Sequence, residues 1–562
     1  MGCLEKFFRS GPTEQFLKQI DTDLFGLIHF SVNTFTDREW GYGYPEDGLK
    51  FNPSDFDAEQ IVSAAKSGGL KGLILVCKHH DGYCLWPTKT TDYNVTMSPW
   101  RDHKGDVVRE ISDACRKFGL KFGVYVSPWD RNCAVYGTPQ YKDIYRTQLR
   151  EVLTQYGEIF EMWFDGANGG DGWYGGAQEK RDIGDPVVYY GWEEVFQMVR
   201  TLQPNARIFC QGPDVRWCGN ERGHIPSDCR CNFIPFDYDK TIPAMTPAEI
   251  YELYQRGSRN GKYFIPPECD FPMRQGWFYH PASDGFSMSS LNLLIAYLNT
   301  VGNGGLMNLG ITPDKRGRIT DEDCCKLKGF RERLLKLREN KVFEFQVSGE
   351  GKHSFALPDR AEFDVIELVE DIAKVGGEVV QKYSVSLDNS ILAEGTVIGM
   401  RRIRVLSAPA SGSSLEFCIE GNSSVTLTGW KSGADMMTPE EDKFTPAHNA
   451  DFEDVTDKII ETGDSSLTVD FGSIRKINGF VIAPDPDNLE GIPLRYTIRA
   501  SVDGENWNCI LLDEGFENIY ANPVPQKISF RTTECRYFRF ESFETVREGA
   551  KIKILSFGVK NV

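Results

Sequence analysis

The chain has 562 residues, 40% hydrophobic and 26% charged, which is ordinary for a globular protein and too long for one core; the length suggests roughly three or four domains. A net charge of −18 argues against a nucleic-acid partner or an anionic membrane surface, because both need a basic patch. No run approaches ~18 apolar residues, so nothing reads as a membrane span.

The start, MGCLEKFFRSGPTEQF, has no basic segment followed by an apolar core. That leaves a cytoplasmic protein, or a secreted or periplasmic one seen without its leader. The 15 cysteines run from Cys3 to Cys535 without a disulfide pattern, and Cys77 and Cys115 sit in apolar segments, as buried thiols do. Cys210, Cys218, Cys229 and Cys231 with His224 invite a zinc reading, but paired CxxC knuckles are missing and the expectation is no metal.

Apolar strands alternate with amphipathic helices from residue 1 to 340. LFGLIHFSV (24–32), GLILVCKHH (72–80), KFGVYVSPW (121–129), EIFEMWFDG (158–166) and RIFCQG (207–212) read as strands, with YFIPPE (263–268) and GGLMNLG (304–310) as late ones. Helical stretches such as GDVVREISDACRKFG and PQYKDIYRTQLREVLTQYG separate them. Strands apolar almost throughout belong to a parallel sheet covered on both faces, and seven βα units favour a (β/α)8-type barrel over an open sheet. Beyond DEDCCKLKGFRERLLKLRENK the period becomes two. FDVIELVE (363–370), VVQKYSVSL (379–387) and MRRIRVL (400–406) then predict a β-sandwich over 341–435. After the polar stretch 431–454, SLTVDFGSIRKINGFVIAP, RYTIRASVDGENW and CRYFRFESF predict a second all-β domain over 436–562.

A β/α barrel carries its site at the C-terminal ends of its strands. Those ends hold His29, then His79, His80 and Asp81, then Tyr125, then Asp165, then the loop from Gln211 to Glu221, then Glu268 and Asp270. A lone strand-end His is usually a structural hydrogen-bond partner, and a lone Asp is often only a turn former. Asp165 stands apart because bulky MWF precedes it and GANGG follows, which fixes it while letting a ligand approach. Trp40, Trp86, Trp217 and Trp277 are core residues or faces for stacking on a sugar.

FGLIHFSVNTF with REWGYG, CKHHDGYCLWPTKTTDYNV, YVSPWD, MWFDGANG and NGGLMNLGITPDKRG resemble, in order, glycoside hydrolase family 29, the retaining α-L-fucosidases. GPDVRWCGNERG, PPECD and GWFYH resemble the subgroup acting on α-1,3- and α-1,4-linked fucose in Lewis-type glycans, and the closing segment resembles a discoidin-like (F5/8 type C) carbohydrate-binding domain. The resemblance implies Asp165 as nucleophile and Glu221 as acid/base, with Glu268 the rival for the second role. It makes His29, Glu39, Trp40, His79, His80, Tyr125 and Trp217 substrate binders, and leaves Glu268, Asp270 and Trp277 to grip the sugar next to fucose. No cofactor is expected; calcium in the C-terminal domain stays open, with no acidic loop to point to it. The expected partners are fucosylated oligosaccharides or glycoproteins, for a monomer or weak homo-oligomer. The alternatives are a retaining glycosidase for another sugar, a catalytically dead carbohydrate-binding protein, and a metal-dependent hydrolase. The last domain would either prop the barrel or tether the enzyme to polymeric glycans.

Overall fold

The computed structural model describes residues 4–210, 212–235, 245–359, 361–440, 443–444, 451–485, 488–516, 519–520, 522–547 and 549–562. Eight strands close a barrel: β1 Leu24–Ile28, β2 Gly72–Lys78, β3 Lys121–Val126, β4 Glu161–Trp163, β5 Arg207–Cys210, β6 Val215–Trp217, β7 Pro267–Pro272 and β8 Leu306–Ile311. Each pairs in parallel with its sequence neighbours, and β8 pairs with β1. Helices follow seven of the strands: α1 Ala58–Ser67, α2 Val107–Phe118, α3 Tyr141–Gln155, α4 Trp192–Leu202, α5 Pro247–Arg256, α6 Ser290–Thr300 and α7 Asp321–Leu337.

The helices show why this sequence wraps a barrel. In α2 the buried positions Val107, Val108, Ile111, Ala114 and Cys115 recur at helical spacing and form one stripe against the sheet. Each large aliphatic side chain in such a stripe contributes about 1.5–3 kcal/mol by leaving water. Asp106 caps the helix by accepting from the Arg109 amide, and Gly119, at φ 71°, ends it in the left-handed conformation that glycine adopts without strain. Asp57, Ser289 and Thr320 cap α1, α6 and α7 in the same way.

The eighth strand is the one the sequence reading lacks. Only four residues separate β5 from β6, with no helix between them, and β6 is three residues long with Arg216 at its centre. The seventh strand is also shifted: it is Pro267–Pro272, whereas Tyr263 and Phe264 pair with Phe233 and Asn232 in a separate two-stranded ladder.

Two four-stranded antiparallel sheets follow between Asn340 and Lys431, enclosing Phe343, Phe363, Ile366, Val385, Phe417 and Leu427. The described part of the polar stretch after them is anchored to the barrel. Glu440 accepts from the Ser290 amide at 2.7 Å and pairs with Arg333 at 3.1 Å, which fastens it to α6 and α7. The last strands, from Glu453 to Asn561, join one seven-stranded sheet around Phe480, Tyr496, Phe538, Phe540 and Phe557. Its long strands Ser466–Pro484 and Gln526–Glu541 break register between Asp470 and Arg475. Strands that bend at such breaks pass from one layer of a sandwich to the other.

Candidate active site

The strand ends deliver polar side chains to one mouth. His29 follows β1 directly, His79 and His80 follow β2, Tyr125 lies near the end of β3, and Asp165 sits two residues past β4. With Trp40, Trp163, Phe209, Trp217, Glu221, Tyr254, Asp270 and Trp277 they line a cavity of about 420 Å³, the size of a small-ligand site. Asp165 Oδ1 accepts from the Ala167 amide at 2.6 Å, so it does form a turn. Its other oxygen accepts from the Tyr125 hydroxyl at 3.0 Å and lies 3.8 Å from His80 Nε2. Trp163 and Phe209 stack at 4.2 Å between ring centres, with Tyr125 on the other face of Trp163, and make an aromatic floor.

His80 has a fixed tautomer. Ser127 Oγ carries one proton and donates it to the Trp129 carbonyl at 2.8 Å. Its 2.8 Å contact with His80 Nδ1 is therefore one it accepts. Nε2 is left bare, as an acceptor on the Asp165 side. Buried His29 Nδ1, His79 Nδ1 and Asp270 Oδ1 have no hydrogen-bond partner among the described residues, a pattern that marks polar atoms available to a ligand.

Glu221 enters from the loop after β6, and Trp277 Nε1 donates to its Oε2 at 3.0 Å. Trp277 is held in turn by Glu39, whose carboxylate accepts from the backbone amides of Trp277 and Phe278 at 2.8 and 3.1 Å and from His280 Nε2. Gly276 makes this contact feasible: its φ is 89°, and a Cβ there would lie 2.6 Å from Glu39 Oε1. Bonds to Asp37 and Glu39 override burial and push the His280 imidazole up to about 10, so it stays a cation in the brace.

Burial sets the protonation states in the cavity. It drives His29 and His79 well below the usual imidazole range, and His80 down to about 3, with the charges of Arg131 and neighbouring imidazoles adding to it. All three rings are neutral near pH 7, able to donate at one nitrogen and accept at the other. Burial also raises Asp165, but the Ala167 amide and the Tyr125 hydroxyl favour its charged form. Glu221 is pushed up to about 7, first by burial and then by the negative charges of Asp165 and Glu39, against the pull of the Trp277 N–H. The result is a carboxylate supported by donors beside a carboxyl that holds its proton near neutrality. That division of labour suits a nucleophile and a general acid.

Residues 14–334 match the family model described as alpha-L-fucosidase. The chain belongs to the α-L-fucosidase family. Residues 452–552 match the F5/8 type C domain. Alpha-L-fucosidase 1 of Arabidopsis thaliana is 38% identical over 323 residues, a match that covers 57% of this chain and 60% of that protein's length. A relative from Oryza sativa subsp. japonica is 34% identical over 435 residues, covering 70% of this chain and 79% of its own. Among solved structures, a glycoside hydrolase 29 family member from an unknown rumen bacterium superposes with a TM-score of 0.70 at 31% identity, over 98% of this chain and 99% of that one.

Within this α-L-fucosidase-family site, two of the residues read from sequence sit elsewhere than expected. Glu268 is the second residue of β7 and wholly buried in the barrel below the cavity. Its Oε1 accepts from Trp163 Nε1 at 3.0 Å and Asn308 Nδ2 at 2.9 Å. Burial and the neighbouring Glu161 carboxylate hold it well above the usual carboxyl range, and it supports the Trp163 floor from outside the cavity lining. Glu39 likewise braces Trp277 from outside the cavity lining. Trp86 is core, its indole donating to Glu151 at 2.9 Å, and Gln211 lies outside the described residues.

The thiols once readable as chelators have other surroundings. The Cys231 amide donates to Glu378 at 2.8 Å and the Cys229 carbonyl accepts from Arg402 at 2.7 Å, which fastens their segment to the first β domain. Among the described residues no group of three or more His, Cys, Asp or Glu is arranged to hold a metal ion. The strand-end pattern does not single out Ser127, Phe209, Tyr254 or His280, and it enlists Trp163 only as a bulky neighbour of Asp165. Nor does it single out Lys78, which is buried against Asp130, Tyr141 and Gln148 beneath the histidine pair. A lysine inside an otherwise apolar strand was the one available signal for it.

Proposed function

We propose that this chain is a retaining exo-glycosidase that releases L-fucose from α-1,3/1,4-fucosylated, Lewis-type glycans by double displacement. Asp165 attacks the anomeric carbon while Glu221 protonates the leaving oxygen. Glu221 then takes a proton from the water that hydrolyses the fucosyl-enzyme. The observation that carries this reading is the pair itself: Asp165, supported by two donors, and Glu221, pushed up to about 7, line the same cavity. His29, His79 and His80 bind the fucose hydroxyls as neutral donors and acceptors. Trp40, half exposed at the rim, closes one side over His80.

The preference for branched glycans rests on the side of the cavity where the leaving group departs. Trp217, Tyr254, Asp270 and Trp277 line the cavity with Glu221 and offer two or more surfaces to sugars flanking fucose. Double displacement needs only two carboxyls and water, so a chelator should leave the rate unchanged.

The test is hydrolysis of Lewis a and Lewis x trisaccharides beside 2'-fucosyllactose, with proton NMR of the fucose first released. Retention of the α-anomer and faster cleavage of the trisaccharides are expected. Asp165→Asn should lower turnover by about 10³-fold or more, since no other group forms the covalent intermediate. Faster cleavage of 2'-fucosyllactose overturns the linkage assignment, and a β-anomer as first product overturns the mechanism.

A further inference from the structure

The C-terminal domain touches the barrel where Glu221 and Trp277 are held. Arg222, next to Glu221, donates from Nη1 to Glu544 Oε1 at 2.7 Å. Asn220 ties the same turn together, accepting from the Arg222 amide at 3.0 Å and donating to the His224 carbonyl at 3.1 Å. The turn therefore moves as a unit, and the His224 ring meets Tyr520 of the C-terminal domain edge-on at 5.4 Å. On the domain's side, the Glu544 backbone is fixed: its carbonyl accepts from the Leu494 amide at 2.9 Å and from Ser542 Oγ at 3.0 Å.

The loop of Trp277 is gripped as well. Gln275 Nε2 donates to the Lys527 carbonyl at 2.8 Å, and Lys527 Nζ donates to the Ala282 carbonyl at 3.0 Å. Asn522, which is buried, donates to the Phe286 carbonyl at 2.8 Å. The indole-to-carboxyl bond between Trp277 and Glu221 thus joins two loops that one domain backs from behind.

We propose that the C-terminal domain is a working part of the hydrolase, with Glu544 as a positioning residue that sets Glu221 through Arg222. The inference rests on the assignment of Glu221 as acid/base. A half-exposed ion pair contributes little to folding, and Glu544 is 46% exposed. Its effect is on placement: a general acid contributes only from within hydrogen-bond reach of the leaving oxygen, and a displacement of about 1 Å can cost up to ~100-fold. A tether for polymeric glycans would instead leave small substrates untouched.

The experiment compares full-length wild type, Glu544→Ala, Glu221→Ala and the charge-swapped double variant Arg222→Glu with Glu544→Arg. Each is assayed on 2,4-dinitrophenyl fucoside, which needs little protonation to leave, and on Lewis a trisaccharide, which needs much. For Glu544→Ala, kcat/KM should fall about tenfold on the trisaccharide and less than about threefold on the aryl fucoside, with recovery in the charge swap. A domain that merely props the fold predicts equal losses on both substrates with a lowered Tm, and a tether predicts no loss on either; both results overturn the inference. If Glu221→Ala discriminates between the substrates and Glu544→Ala does not, the positioning role falls and the acid/base assignment stands. If Glu221→Ala does not discriminate either, both fall.

Discussion

Replacing Trp277 by Phe isolates one bond of the site. The ring still packs beside His29, whose centre lies 4.9 Å away, while the indole N–H that reaches Glu221 Oε2 at 3.0 Å is lost. A hydrogen bond to a charged acceptor contributes about 1.5–3 kcal/mol and one to a neutral acceptor about 0.5–1.5. The difference, about 1–1.5 kcal/mol, is what the indole gives to the ionised over the protonated form of Glu221. At 1.36 kcal/mol per unit this is about one pH unit. The sign follows from the proposed role: a general acid at Glu221 must be protonated to act, so activity falls as pH rises through its pKa, already pushed up to about 7. Loss of the donor raises that pKa further and extends the active range upward. The assay is kcat/KM against pH on Lewis a trisaccharide, where protonation of the leaving oxygen matters. The basic limb should move up by about one unit, the acid limb, governed by ionisation of Asp165, should stay, and the plateau should drop about threefold to tenfold as the acid weakens. A basic limb that stays in place or moves down refutes the reasoning, for it would detach that limb from Glu221.

Two further substitutions test supports of the site. Ser127→Ala frees the His80 tautomer, at a cost of about 1 kcal/mol or roughly fivefold in kcat/KM; nitrogen NMR should show Nδ1-protonated His80 in the wild type and a mixture in the variant. Glu268→Gln keeps an acceptor for Trp163 and Asn308 and should leave Tm nearly unchanged, whereas Glu268→Ala leaves two buried donors unpaired and should cost about 2–4 kcal/mol by denaturant unfolding. A leaving-group dependence in Glu268→Ala, absent in Glu221→Ala, would restore Glu268 as the acid.

The barrel was legible because buried parallel strands are apolar on both faces, and such runs announce themselves in β1 to β5 and β8. Two strands break that pattern: β6 is only three residues long with an arginine at its centre, and β7 carries two acids. Arg216 is fully buried in β6, yet its guanidinium is satisfied by the carbonyls of Tyr254 and Arg230. In β7 the sequence PECDFP carries two prolines and two acids, and the strand expected over 263–268 meets it only at Pro267 and Glu268. The prolines stand at its ends, where a missing N–H is tolerated, and burial holds both acids well above the usual carboxyl range. Composition misleads at these positions because carbonyls satisfy the buried guanidinium of Arg216, while burial pushes Glu268 and Asp270 toward their neutral forms.

The site divides in the same way. Asp165 and the histidines are found by asking what stands at the end of each strand, since the fold itself brings those positions together. Glu221 yields to no such rule: it lies in a loop, and only the likeness of CGNERG to a known pattern singles it out. The groups that shift its pKa are distributed over the chain. Asp165 comes from β4, Glu39 from the segment after β1, and Trp277 from the loop after β7, all converging on one carboxyl. Glu39 in turn acts through backbone amides 238 and 239 residues away. A pKa near 7 is therefore a property of assembled loops. Whatever fixes those loops, from Gly276 to the Arg222–Glu544 contact, shapes the surroundings of that carboxyl from outside the cavity lining.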